Sequence, residues 1–94
     1  VSDIVNGCLA AADSTACEVV NLGTAQQTTT LDLLTYVESA IGKSAERIEK
    51  PGVVDVVKHC ALSVDKARSL LQWAPLTPLK LGVEQTVAWY KSRL

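Results

Sequence analysis

At 94 residues the chain has room for one small domain, and a composition 48% hydrophobic and 20% charged excludes a disordered polymer. The formal net charge is −1 and no Lys/Arg run exceeds two residues, which argues against nucleic acid or an anionic membrane as the main partner. No apolar run approaches the length of a membrane span.

Residues 2–13 carry Ile4, Val5, Cys8, Leu9 and Ala12 at helical spacing, so a helix with one buried stripe is expected, with Ser2 as its N-cap. Residues 18–22 are β-rich and closed by Gly23, which predicts a short strand ending in a turn. Residues 30–41 return to helical spacing, with Leu33, Val37 and Ile41 on one line and Leu34 beside it. Thr29 can cap that helix, Asp32 completes a short capping box, and Gly42 is placed to end it. Residues 45–49 read as a second short strand before Pro51-Gly52 breaks the chain. Residues 53–62 are β-rich but interrupted by Asp55, Lys58 and His59, giving a loop or an edge strand.

Ser63 is expected to cap a third helix over 64–72, with Ala67, Leu70 and Leu71 as its apolar face. Pro75 and Pro78 forbid a helix through 74–78. A last helix over 80–93 would bury Val83, Val87 and Tyr90, with Leu94 on the same line. The expected class is α/β (α+β as an isolated piece): four helices with two short strands in a single partial domain spanning 1–94. Alternating strands and helices imply a parallel arrangement. Two short strands cannot form an independent sheet, so the piece is expected to lean on a sheet lying outside it. A start at Val1 and the absence of methionine point the same way.

Three cysteines, Cys8, Cys17 and Cys60, form no CxxC pair and leave an odd count, so a reduced cytoplasmic setting is expected rather than a disulfide framework. His59 beside Cys60 is read as structural rather than as a metal or thiolate site, because adjacent residues on a strand point apart. Asp65 and Lys66 could be named as an acid/base pair, but on a capped helix they read as solvated surface. Asp3 suits the positive end of its helix. Asn21 either bonds backbone at a strand end or faces a cleft, with the structural role preferred.

Four blocks, taken in order, resemble the C-terminal region of a known family. They are Val1-Ser2-Asp3-Ile4-Val5; Val20-Asn21-Leu22-Gly23 followed by Thr29-x-x-Asp32-Leu33; Lys50-Pro51-Gly52; and Ser63-x-Asp65-Lys66-Ala67-x-x-x-Leu71-Gln72-Trp73-x-Pro75, continued by Leu79, Gly82, Thr86, Val87, Trp89 and Tyr90. They look like V-x-D-[IV]-[VA]; N-[IVL]-G with [ST]-x-x-[ED]-L; R-P-G-D; and S-K-A-x-x-x-L-G-W-x-P with its W-[YF] helix. The family is the extended short-chain dehydrogenase/reductases, the NAD(P)-dependent nucleotide-sugar epimerases and dehydratases. The sequence departs from it at Gln72, where the family has Gly; at Lys50, where it has Arg; and at Val53, where it has an acid, with Asp55 two residues on. A Gln in a left-handed cap would cost roughly 1 kcal/mol.

The resemblance implies a Rossmann cofactor domain followed by a smaller substrate domain. NAD(P) takes and usually returns a hydride, and a Tyr base with a nearby Lys handles the proton. The chain itself has neither G-x-x-G-x-x-G nor Y-x-x-x-K. The expectation is therefore no cofactor bound by this chain, no catalytic residue in it, and no turnover alone. What the resemblance does carry across is Lys50, beside the nucleotide diphosphate, and less directly Asp55, at the ribose or base. The expected partner is a nucleotide-sugar in the full-length context. The competing expectation is a free-standing, non-catalytic helical module that self-associates or binds a partner.

Overall fold

The computed structural model describes residues 1–52 and 57–94. It contains four helices: α1 (Ser2–Asp13), α2 (Thr30–Ile41), α3 (Asp65–Leu71) and α4 (Leu79–Lys91). They divide between two compact units, one built from Val1–Gln27 and Ala61–Leu79, the other from Thr28–Cys60 and Lys80–Leu94.

Among the described residues there is no strand, which corrects the expected α/β class and both expected strands. A strand needs a neighbour to take its backbone hydrogen bonds, and neither run finds one. Residues 18–22 keep the alternation of a strand: Val20 and Leu22 are half-buried, Val19 and Asn21 exposed. Helices, not a ladder, satisfy that alternation, because Val20 and Leu22 pack on the buried cluster of Val64, Ala67 and Trp73. Residues 45–49 are held by the α2 side chain Glu38 instead. Of the 53–62 reading, residues 53–56 lie outside the described residues.

In the first unit α1 packs on α3. The expected buried stripe of α1 is overturned: Ile4 and Val5 are about half exposed (47% and 48%), Leu9 is 61% exposed, and Cys8 and Ala12 are also exposed. The inward face is Asp3, Gly7 and Ala10, of which Gly7 is buried. Small residues win that face because Leu22 lies directly against it. A Cβ on Gly7 would stand 2.5 Å from Leu22 Cδ1. Ser2 is not the cap either; Val5 N–H already donates to Val1 O (3.0 Å), so Val1 takes that position without a side-chain bond.

α3 begins one residue later than expected for a Ser63 cap. Arg68 N–H donates to Val64 O (3.1 Å), making Val64 the N-cap, while the Ser63 hydroxyl accepts from Asp65 N–H at 3.4 Å from just outside. The helix ends on Gln72 in the left-handed conformation (φ 49°, ψ 34°). Trp73 N–H donates back to Ala67 O (3.2 Å), satisfying a carbonyl at the end of the helix. Ala67 is fully buried, Leu71 half-buried, and Leu70 is 37% exposed, so the expected apolar face is only partly used.

In the second unit α2 matches its local signals. The Thr29 hydroxyl accepts from Asp32 N–H (3.0 Å), Asp32 returns a bond to Thr29 N–H (3.3 Å), and Gly42 closes the helix at φ 80°. Leu34 and Val37 are half-buried, whereas Leu33 and Ile41 are exposed. Lys91 of α4 donates from Nζ to Ala40 O (3.2 Å) and Ile41 O (3.5 Å), a cation on the carbonyl end of α2. α4 buries Val83 and half-buries Val87, but Tyr90 is 56% exposed and Leu94 fully exposed, against expectation. Tyr90 instead meets Trp89 edge to face, with centroids 5.0 Å apart, and the Arg93 guanidinium lies 4.2 Å over the Trp89 ring.

Candidate functional site

Of the two residues expected to meet a nucleotide-sugar, Lys50 is exposed, and Asp55 lies outside the described residues. Lys50 follows the end of α2 by a short stretch whose path one carboxylate organises. Glu38 accepts from Ala45 N–H (2.8 Å) and from the Arg47 guanidinium (3.0 Å). The backbone donor first, and then the Arg47 contact, hold the Glu38 carboxyl below its ordinary value. With the α2 C-terminus closed by Gly42 and Lys43 N–H on Glu38 O (2.8 and 3.3 Å), residues 42–47 are pinned to their helix. Lys50-Pro51-Gly52 comes immediately after, so a positive charge is carried on a loop fixed at its root. An ammonium in that position can meet a phosphate as a point charge, without the two-pronged geometry of an arginine.

The first unit supplies the frame. Asp3 sits in the first turn of α1, as expected, but it also does something the sequence did not reveal. Its carboxylate accepts from Leu76 N–H (3.1 Å), Thr77 N–H (2.9 Å) and the Thr77 hydroxyl (3.3 Å). The Thr77 backbone donor is the leading reason its carboxyl is held below the ordinary value. Its own carbonyl accepts from the Trp73 indole at 2.8 Å. The only advance signal was an Asp at a fixed place in the first block.

Asp65 and Lys66 do not form an acid/base pair. Lys66 Nζ donates to Glu18 Oε2 (2.8 Å) and Val19 O (3.3 Å), tying α3 to the segment before Leu22 and lowering the Glu18 pKa. Asp65 instead accepts from the Ser63 hydroxyl at 3.2 Å. Among the described residues no group of three His, Cys, Asp or Glu could hold a metal ion, and no helix is long and apolar enough to cross a membrane. A groove of about 260 Å³ runs between α1 and the following segment, lined by Gly7, Cys8, Ala11, Ala16, Val20 and Leu22 among others.

No family model matches the chain. Individual relatives do. It is 29% identical over 94 residues to UDP-glucuronic acid decarboxylase 1 of Danio rerio, covering all of this chain and 22% of that protein. It is 28% identical over 95 residues to a UDP-glucuronate 4-epimerase of Thermodesulfobacterium geofontis, covering all of this chain and 29% of the relative. The crystal structure of Bacillus cereus UDP-glucuronic acid 4-epimerase in complex with UDP-glucuronic acid and NAD superposes with a TM-score of 0.85 at 29% identity, over 99% of this chain and 31% of that one. The chain thus spans under a third of the length of these relatives. The chain is similar to the C-terminal part of nucleotide-sugar epimerases and decarboxylases of the extended short-chain dehydrogenase/reductase family.

Proposed function

We propose that this chain serves as the C-terminal, substrate-contacting part of an NAD-dependent enzyme acting on a UDP-sugar, and that it is inactive alone. The observation that carries the reading is the superposition over 99% of the chain on an epimerase holding UDP-glucuronic acid and NAD. In this reading the cofactor and the proton-transfer residues belong to the rest of the enzyme, since the chain has no glycine-rich phosphate loop and no Y-x-x-x-K. Lys50 supplies charge to the diphosphate and Asp55 a contact to the ribose or base. An odd count of three cysteines with no CxxC pair suits a reducing compartment such as the cytoplasm.

The test is kinetic. In a full-length protein carrying this region, Lys50→Ala raises the KM for the UDP-sugar about fivefold, the size of an exposed charge contact, and leaves NAD affinity unchanged. An unchanged KM dismisses Lys50. A clear calorimetric signal for NAD on the 94-residue chain alone would contradict its dependence on the rest of the enzyme.

A further inference from the structure

We infer that Glu38 is a positioning residue for the UDP-sugar: its carboxylate clamps the root of the loop from which Lys50 reaches the diphosphate. The inference rests on the Lys50 contact proposed above. Residues 41–50 are all exposed, so packing does not hold the path from α2 to Lys50. Hydrogen bonds to Glu38 do. Its main-chain carbonyl accepts from Gly42 and Lys43 N–H, and its carboxylate accepts from Ala45 N–H at 2.8 Å and from the Arg47 guanidinium at 3.0 Å. The main-chain bonds end at Lys43, so the carboxylate alone of the two carries the clamp on to Arg47. Lys50 stands three positions after Arg47 but seven after Lys43. Three residues of chain reach at most about 10 Å, and seven about 24 Å. Opening the clamp therefore lowers the local concentration of the Lys50 ammonium at the diphosphate about three- to fourfold, by the −3/2 power of tether length. For a contact that contributes about fivefold, the KM then rises about two- to threefold.

The experiment measures the KM for the UDP-sugar, kcat and NAD affinity in a full-length protein carrying this region. Glu38→Ala is expected to raise the KM about two- to threefold, with kcat and NAD affinity unchanged. Glu38→Asp keeps the charge but is one methylene short of the Ala45 amide, and should match Glu38→Ala. Glu38→Gln keeps an acceptor for that amide and loses only the ion pair with Arg47, so its KM should rise less than about twofold. A carboxylate that served only the stability of the fold would not give this order, nor would its effect depend on Lys50. In a Lys50→Ala background the Glu38 variants should therefore change the KM no further. An unchanged KM in Glu38→Ala and Glu38→Asp, or a rise that persists without Lys50, overturns the inference. Should Glu38→Ala fail to fold, the contrast between Glu38→Asp and Glu38→Gln decides, and equal KM values overturn it. An unchanged KM in Lys50→Ala removes the diphosphate contact and this inference with it. A raised KM in Lys50→Ala beside unchanged Glu38 variants overturns this inference alone, so the two failures are told apart.

Discussion

The indole of Trp73 donates a 2.8 Å hydrogen bond to the main-chain carbonyl of Asp3, across 70 residues of sequence. The same Asp3 returns its carboxylate to Leu76 and Thr77, so one residue of α1 holds the turn after α3 from both its main chain and its side chain. Trp73 is 6% exposed and belongs to the buried cluster with Val64 and Ala67. Truncating it to Ala removes about 3–5 kcal/mol, enough to abolish cooperative unfolding in a chain this small. Trp73→Phe keeps a six-membered aromatic ring in the cluster but loses the bond and the rest of the indole, about 1–3 kcal/mol. Urea titration followed by circular dichroism separates the two, and equal losses would mean that the retained ring contributes nothing and the packing is not what matters.

Gln72 holds a left-handed backbone at φ 49° where a glycine has no Cβ to strain. Gln72→Gly is expected to stabilise the chain by about 1 kcal/mol. The gain is reduced by loss of the Gln72 side-chain bond to Ser69 O (3.0 Å). A lower midpoint in urea would show that this bond outweighs the strain.

Gly7 faces Leu22 so closely that any side chain must displace it. Gly7→Val is expected to cost about 1–3 kcal/mol through overpacking. Combining it with Leu22→Ala should recover part of the loss, because the two changes share one contact. Strict additivity in a double-mutant cycle would refute the crowding.

The carboxyl groups of Asp3, Glu18 and Glu38 are all held below their ordinary values of 3.8, 4.5 and 4.5. A folded-state pKa below the unfolded one means that the unfolded chain binds protons first on acidification. The stability from these groups is therefore complete above the ordinary values and is lost as pH falls through them toward the lowered ones. Melting temperature should be flat near neutrality and decline below about pH 4.5. Asp3→Asn should make that decline shallower, and parallel curves for the two proteins would remove Asp3 from the account.

The helices were legible because their signals are local. Thr29, Asp32 and Gly42 define α2 within a dozen residues, and the two prolines place the start of α4 just beyond Pro78. Residues 18–22 have strand-like alternation, but a strand exists only with a partner, and these residues found helices instead. The face of α1 was misread for a different reason. Hydrophobic periodicity finds the most apolar side, whereas the docked side is the one small enough to admit Leu22. The Asp3 clasp joins residues 70 to 74 apart, so no window along the chain could contain it. Lys50 was legible only through the block it belongs to, as nothing in the pattern around it distinguishes it from any lysine beside a turn.

Each unit is assembled from two separate stretches of chain, 1–27 with 61–79 and 28–60 with 80–94. During synthesis α1 therefore leaves the ribosome long before Trp73, Leu76 and Thr77 exist to receive Asp3. Local helix formation cannot secure it, since twelve residues are marginal as an isolated helix. Closure of the first unit waits until most of the second has been translated, and no single cleavage can release either unit whole. A ribosome stalled before residue 73 would hold an emerging chain with α1 unanchored and its clasp still unmade.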